Sequence, residues 1–345
     1  MAVIHVLLAL IFAPLLGGLF AWCRFVASGG SLAKAPSLMG RYAALKALCA
    51  KGTAYGPEIQ PYTPIAPLAV LSCLVTALFM VPLGGQPPQL HFTGDFLLLA
   101  GLLTLARLLG LLAALDGSPV YKAPGASAFC ARGLLAEPLL LSVFLGLGLA
   151  AGSYSLFGMV SLAELRLWEE NRLWLLLPGC ALFLIALDEE FECGDCRLVE
   201  VAASPGGPLK ESQAPGGKNI IGVKPGGRLA KLAAKKDELE ARWNREPVAV
   251  SAKGGLDMGI RVYGDSLKLW IYAALLCSLA PHTPQNLDLA LAGGVGGIFL
   301  AAIVLGLGRG LAARFPVLTP NLLFSLSGIS ALVFWGLVFW MRHAA

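Results

Sequence analysis

Long apolar stretches separated by shorter polar ones set the pattern of this chain. A helix needs about 20 apolar residues to cross the hydrocarbon core of a bilayer. Eight stretches answer to that length, at roughly 3–23, 64–83, 96–115, 134–152, 173–189, 267–282, 288–308 and 320–341. None alternates apolar and polar residues as a membrane β-strand would, so the predicted elements are helices. The expected fold class is an all-α integral membrane protein with about eight transmembrane helices and amphipathic cytoplasmic helices. It divides into residues 1–189 with helices 1–5, a cytoplasmic loop over 190–266, and residues 267–345 with helices 6–8.

Two polar stretches have a pattern of their own. Residues 41–51 place Tyr42, Leu45, Leu48 and Cys49 on one helical face and Lys46 off it. That spacing predicts a short amphipathic helix at the membrane surface. The 190–266 loop opens with Pro-Gly-Gly triplets at 205–207, 215–217 and 225–227, which break regular structure. Leu229, Leu232, Leu239 and Trp243 then recur at helical spacing within 228–245, predicting an amphipathic helix that docks on a partner or the bilayer. A solvated helical linker fits that segment equally well.

Composition narrows the class. Of 345 residues, 57% are apolar and only 14% charged. A soluble domain carries about 25% charge, so an ordinary soluble enzyme, a disordered chain and a collagen-like fibre are excluded. The net charge of +5 is too small to argue for nucleic acid. Its placement says more. The 24–63 connection holds Arg24, Lys34, Arg41, Lys46 and Lys51, whereas 84–95 holds no Lys or Arg. By the positive-inside bias the first, third, fifth and seventh connections face the cytoplasm, and both termini face the periplasm. The expected location is the cell inner membrane, multi-pass. The N-terminal run lacks a basic leader and a clear cleavage site, and reads as the first span.

Candidate chemistry is sparse. Of eight cysteines, Cys23, Cys73, Cys180 and Cys277 lie in apolar runs and are expected to pack. Cys193 and Cys196 have metal-ligand spacing, but no second pair follows, and two reduced thiols are the simpler reading. His5, His91, His282 and His343 are scattered near span ends, which suits interfacial packing better than haem ligation. Gly216-Gly217-Lys218 lacks the remaining parts of a phosphate loop. No metal, cofactor or catalytic residue is therefore expected. Two glycine pairs at small-xxx-small spacing, Gly148/Gly152 and Gly293/Gly297, predict close helix packing.

Ionisable residues inside spans stand out, because a mid-bilayer charge costs at least about 2.5–3.5 kcal/mol. Arg107 falls in the third span and Glu137 in the fourth, just before Pro138. Asp116 closes the third span, Asp188, Glu189, Glu190 and Glu192 crowd the end of the fifth, and Lys268 enters the sixth after Asp265. A carboxylate in low dielectric has its proton affinity raised, and a nearby arginine lowers it again. A proton relay at Glu137 and a structural pair with Arg107 are equally compatible with the sequence. A hydrated helix end is the simpler reading of the 188–192 cluster.

The segment Gly94 to Arg107, Leu115-Asp-Gly-Ser-Pro119, Gly125-Ala-Ser127 and Leu135-Ala-Glu-Pro-Leu139 resemble the respiratory complex I subunit 1 family. They look closest to its branch in membrane-bound nickel–iron hydrogenases, such as formate hydrogenlyase and energy-converting hydrogenases. Arg107, Asp116, Gly117, Ser118, Pro119 and Glu137 match that pattern position by position. Residues 36–51, 263–282 and Arg314-Phe-Pro316 are similar more loosely, and the resemblance spans about two thirds of the chain. The acidic stretch Asp188 to Cys196 and the insertion after it depart from the family.

The resemblance implies a membrane-anchor and proton-coupling subunit without its own redox centre, joining a hydrophilic redox arm to ion translocation. It implies a proton pathway of Glu137, Arg107, Asp188, Glu189, Glu190 and Asp116. Docking would use Arg41, Lys46, Lys51 and Trp243. The implied partners are an Fe–S subunit and a hydrogenase-like large subunit on the cytoplasmic side, antiporter-like membrane subunits, and the lipid bilayer. The alternatives are a quinone-site subunit of an NADH:quinone oxidoreductase-type complex, or a purely structural anchor for soluble redox subunits.

Overall fold

A computed structural model describes residues 2–30, 35–50, 65–83, 87–116, 123–161, 173–188, 255–279, 287–314 and 320–344. The long elements among them are all helices: α1 (Ala2–Ala27), α2 (Gly40–Ala50), α3 (Ala66–Leu78), α4 (Asp95–Asp116), α5 (Ala123–Ala151), α6 (Leu173–Asp188), α7 (Gly255–Ser278), α8 (Leu287–Arg314) and α9 (Pro320–Ala344). No strand occurs among the described residues.

Each apolar stretch found in the sequence holds a helix, and among the described residues four are long and apolar enough to cross a membrane on that ground alone: Ile4–Ala27, Asp95–Leu112, Ala292–Arg314 and Leu322–Trp340. Ala66–Leu78, Ala136–Ala151 and Leu177–Leu187 are shorter apolar helices. The α3 helix stops early because Pro82 disfavours helical backbone just before it. Phe79 and Met80 close the last turn on the Thr76 and Ala77 carbonyls.

Two helix starts lie well before their expected positions. The α5 helix begins at Ala123, where Pro124 suits a first turn, rather than near 134. The α7 helix begins at Gly255, inside the stretch expected as loop and well before residue 267. Asp257, Arg261 and Asp265 lower its hydropathy there, yet their fourfold spacing keeps them on one face while Met258 and Val262 are buried on another.

The most polar of the long helices, α7, sits at the centre. From Ser266 to Leu275 every residue of α7 is buried. The helix packs against α1, α2, α3, α6 and α8. Around it α3 lies on α4, α4 on α5, α5 on α9, α9 on α6, and α8 on α1. Outward-facing positions are apolar instead, with Leu300 63%, Leu332 73% and Phe339 65% exposed. Polar inside and apolar outside is the order that lipid imposes on a bundle.

The short α2 helix lies against protein. Ala44 and Leu48 are buried with Met258 and Val262 of α7, while Cys49 is exposed. Its apolar face is thus covered by α7, where the sequence pattern predicted a helix resting on the membrane surface.

The predicted glycine pairs pack differently than expected. Gly148 meets Met159 and Ser153 of the segment after its own helix, Gly293 faces open space, and Gly152 ends α5 with a φ of +73°. Gly297 alone of the four lies against another long helix, at Cys277 of α7. Gly306 and Gly310 of α8 approach the backbone of α1 closely. A Cβ at Gly306 would stand 2.9 Å from the Phe20 carbonyl oxygen, and one at Gly310 would stand 2.5 Å from that of Arg24.

Candidate functional site

Arg107 and Glu137 both lie half-buried, on the adjoining helices α4 and α5. Ala136 and Leu140, on either side of Glu137, are buried in the core. Pro138 has no N–H to give the Leu134 carbonyl, which leaves that rung of α5 open beside the carboxyl group.

Asp116 and Asp188 are the last residues of α4 and α6. Their side chains lie outside the described residues, as do Glu189, Glu190, Lys51, Trp243, the 228–245 segment and Cys193/Cys196. Lys46 is exposed on α2, whereas Arg41 is half-buried and turned into the bundle. At the end of α6, the Arg309 guanidinium of α8 donates to the Leu187 carbonyl. A cation there complements the negative end of the helix dipole.

The structure extends the Asp265–Lys268 pair noted in the sequence by two residues that sequence reasoning passed over, Asp257 and Arg261. Along α7, Asp257, Arg261, Asp265 and Lys268 alternate in charge at three- and four-residue spacing. The first three are half-buried and Lys268 is only 8% exposed. The signal was present in the sequence, but the low hydropathy of 255–266 made it read as loop.

A polar junction joins α1, α2 and α7. Pro14 stands inside α1 and cannot donate to the Leu10 carbonyl. The Tyr263 hydroxyl of α7 donates to that carbonyl at 2.7 Å. The Tyr42 hydroxyl of α2 donates to the next carbonyl, that of Ile11. Burial pushes the Tyr42 phenol up from its ordinary value, against a smaller opposing effect of the Leu15 N–H, and keeps it a donor. One turn on, Arg41 donates to Ser266 Oγ at 3.2 Å, and Ser266 donates to the Val262 carbonyl at 3.0 Å. A Cβ at Gly17 would sit 2.8 Å from Ser266 Oγ and 3.0 Å from Arg41 Nη1, so this contact requires glycine.

Further along α7, Trp270 Nε1 donates to His5 Nε2 at 3.1 Å, with Phe299 of α8 edge-on to the indole. Indole nitrogen is only a donor, so His5 accepts as the neutral imidazole with its proton on Nδ1. His5 is 4% exposed and packs inside the bundle, near the start of α1.

No family model matches this chain, and no curated protein matches it in sequence. Its fold does have solved counterparts. A chain of the membrane-bound sulfane sulfur reductase, an archaeal respiratory membrane complex, superposes with a TM-score of 0.64. The match covers 98% of this chain and 99% of that one at 17% identity. The likeness in fold therefore runs from end to end.

Proposed function

We propose that this chain is the membrane-anchor and proton-coupling subunit of a hydrogenase-like respiratory complex related to complex I. In this reading the eight apolar helices all cross the inner membrane, and both termini lie on the periplasmic side. Glu137 carries protons, Arg107 tunes its affinity, and Asp116 with Asp188–Glu190 serve as polar ends of the path. The 24–63 and 190–266 loops receive the Fe–S and hydrogenase-like subunits, and antiporter-like subunits lie alongside in the bilayer.

The observation that carries the coupling role is the pair of ionisable residues, Arg107 and Glu137, half-buried on two adjoining apolar helices. Charge is costly at such depth and is usually kept for ion or proton paths. The end-to-end likeness to a chain of a respiratory membrane complex supports the anchor role.

The test is Glu137→Gln in the intact complex reconstituted in vesicles. Coupled proton or sodium transport should fall by roughly two orders of magnitude, while assembly and electron transfer stay near wild type. Full transport in that variant overturns the relay. If Glu137→Gln is harmless but deletion of 228–245 releases the soluble subunits, the chain is an anchor alone.

A further inference from the structure

We propose that the 35–50 segment is a latch on a proline hinge in α1, so that a partner docked on α2 sets the bend of α1. Two consecutive rungs of α1 are held by side chains from other elements. The Leu10 carbonyl, deprived of its donor by Pro14, is taken by Tyr263. The Ile11 carbonyl is taken by Tyr42. The phenol of α2 thus bonds the carbonyl next to the one that Pro14 leaves without its helical donor. A proline inside a helix is a recognised cause of a kink. Tyr42 steadies α1 beside that weak point, and withdrawing it lets the bend there change.

The neighbouring residues are shaped to receive the same segment. Gly17 leaves room for Arg41, and Gly18 leaves room for the Leu38 carbonyl, which a Cβ would strike. Residues 38–42 therefore key into α1 between residues 11 and 18.

The two halves of α1 make different sets of contacts. The half before the hinge is bonded to α7, through His5 with Trp270 and the Leu10 carbonyl with Tyr263. The half beyond it is packed on α8, through Phe20, Cys23, Arg24 and Ala27 against Gly306 and Gly310. A change of bend therefore acts on α7, with its ladder of charges, and on α8 through different parts of α1. The proposal rests on the reading above only in supposing that a partner engages α2.

The experiment uses the full chain in lipid nanodiscs with spin labels at two exposed positions, Ile4 before the hinge and Leu311 beside Gly310. The arm from residue 4 to residue 14 is about 15 Å long, so a change of about 20° moves the label by about 5 Å. Tyr42→Phe keeps the ring and loses the donor, and should shift the distance by that amount. Gly18→Ala expels the Leu38 carbonyl without touching the phenol, and should produce the same shift. Pro14→Ala restores the missing N–H, and Tyr42→Phe in that background should add nothing. The proposal fails if Tyr42→Phe and Gly18→Ala both leave the distance unchanged, or if Tyr42→Phe acts equally without Pro14. Glu137 is untouched throughout, so this result and that of the relay test stand apart.

Discussion

The carboxyl group of Asp95 is fully buried at the start of α4, and its Oδ1 accepts the Leu156 backbone N–H at 2.6 Å. Beside it the Gly94 N–H donates to the Tyr154 carbonyl at 2.7 Å, with Gly94 at a φ of +92° that favours glycine. These two bonds fasten the turn before α4 to the segment after α5. Asp95→Asn keeps an oxygen acceptor and should change stability little. Asp95→Leu strands a buried N–H and should cost about 1–3 kcal/mol. Thermal unfolding of the purified chain in detergent distinguishes them, and equal stability of Asp95→Leu and wild type would remove this role. Nothing in the residue type announced the fastening. Asp95 reads in sequence as an ordinary acid at a helix start, and its partner is a main-chain group 61 residues away.

Helix contacts in lipid depend on close packing and not on the exclusion of water, so glycine placement decides which helices meet. Gly306 and Gly310 admit the backbone of α1, and replacing either should force the two helices apart. Gly310→Leu should cost at least about 1–3 kcal/mol of overpacking, because a Cβ there already crowds the Arg24 carbonyl. Gly293→Ala, facing open space, should be neutral in the same unfolding measurement. Of the two glycine pairs legible at first sight, Gly297 alone meets another long helix. Spacing alone cannot tell a glycine at a helix end, such as Gly152, from one in a crossing. Element boundaries show the same limit. Hydropathy located every apolar helix but missed the first turns of α7, where charges at fourfold spacing hide a buried face of Met258 and Val262.

Across the whole molecule polarity runs inward, from leucines on the outer helices to Tyr263, Ser266, Lys268 and Trp270 on α7. That order explains which parts of the candidate site could be read beforehand. Arg107 and Glu137 interrupt apolar runs and stand out at once. The α1–α2–α7 junction does not, because all but one of its acceptors, Ser266 Oγ, are carbonyls that carry no residue signature. The same order makes the outer surface testable. Leu332 lies in the middle of α9 and is 73% exposed, whereas Met39, 64% exposed, lies in the turn just before α2. If lipid covers the α9 face, Leu332→Arg places a charge in hydrocarbon and should cost about 2.5–3.5 kcal/mol on insertion. Met39→Arg at a polar boundary should cost far less. Membrane-integrated yield of the two variants, read by alkaline extraction, checks the difference. Equal yields would mean that the α9 face meets water or a polar partner surface instead of lipid, and the inward order of polarity would not extend to that side of the bundle.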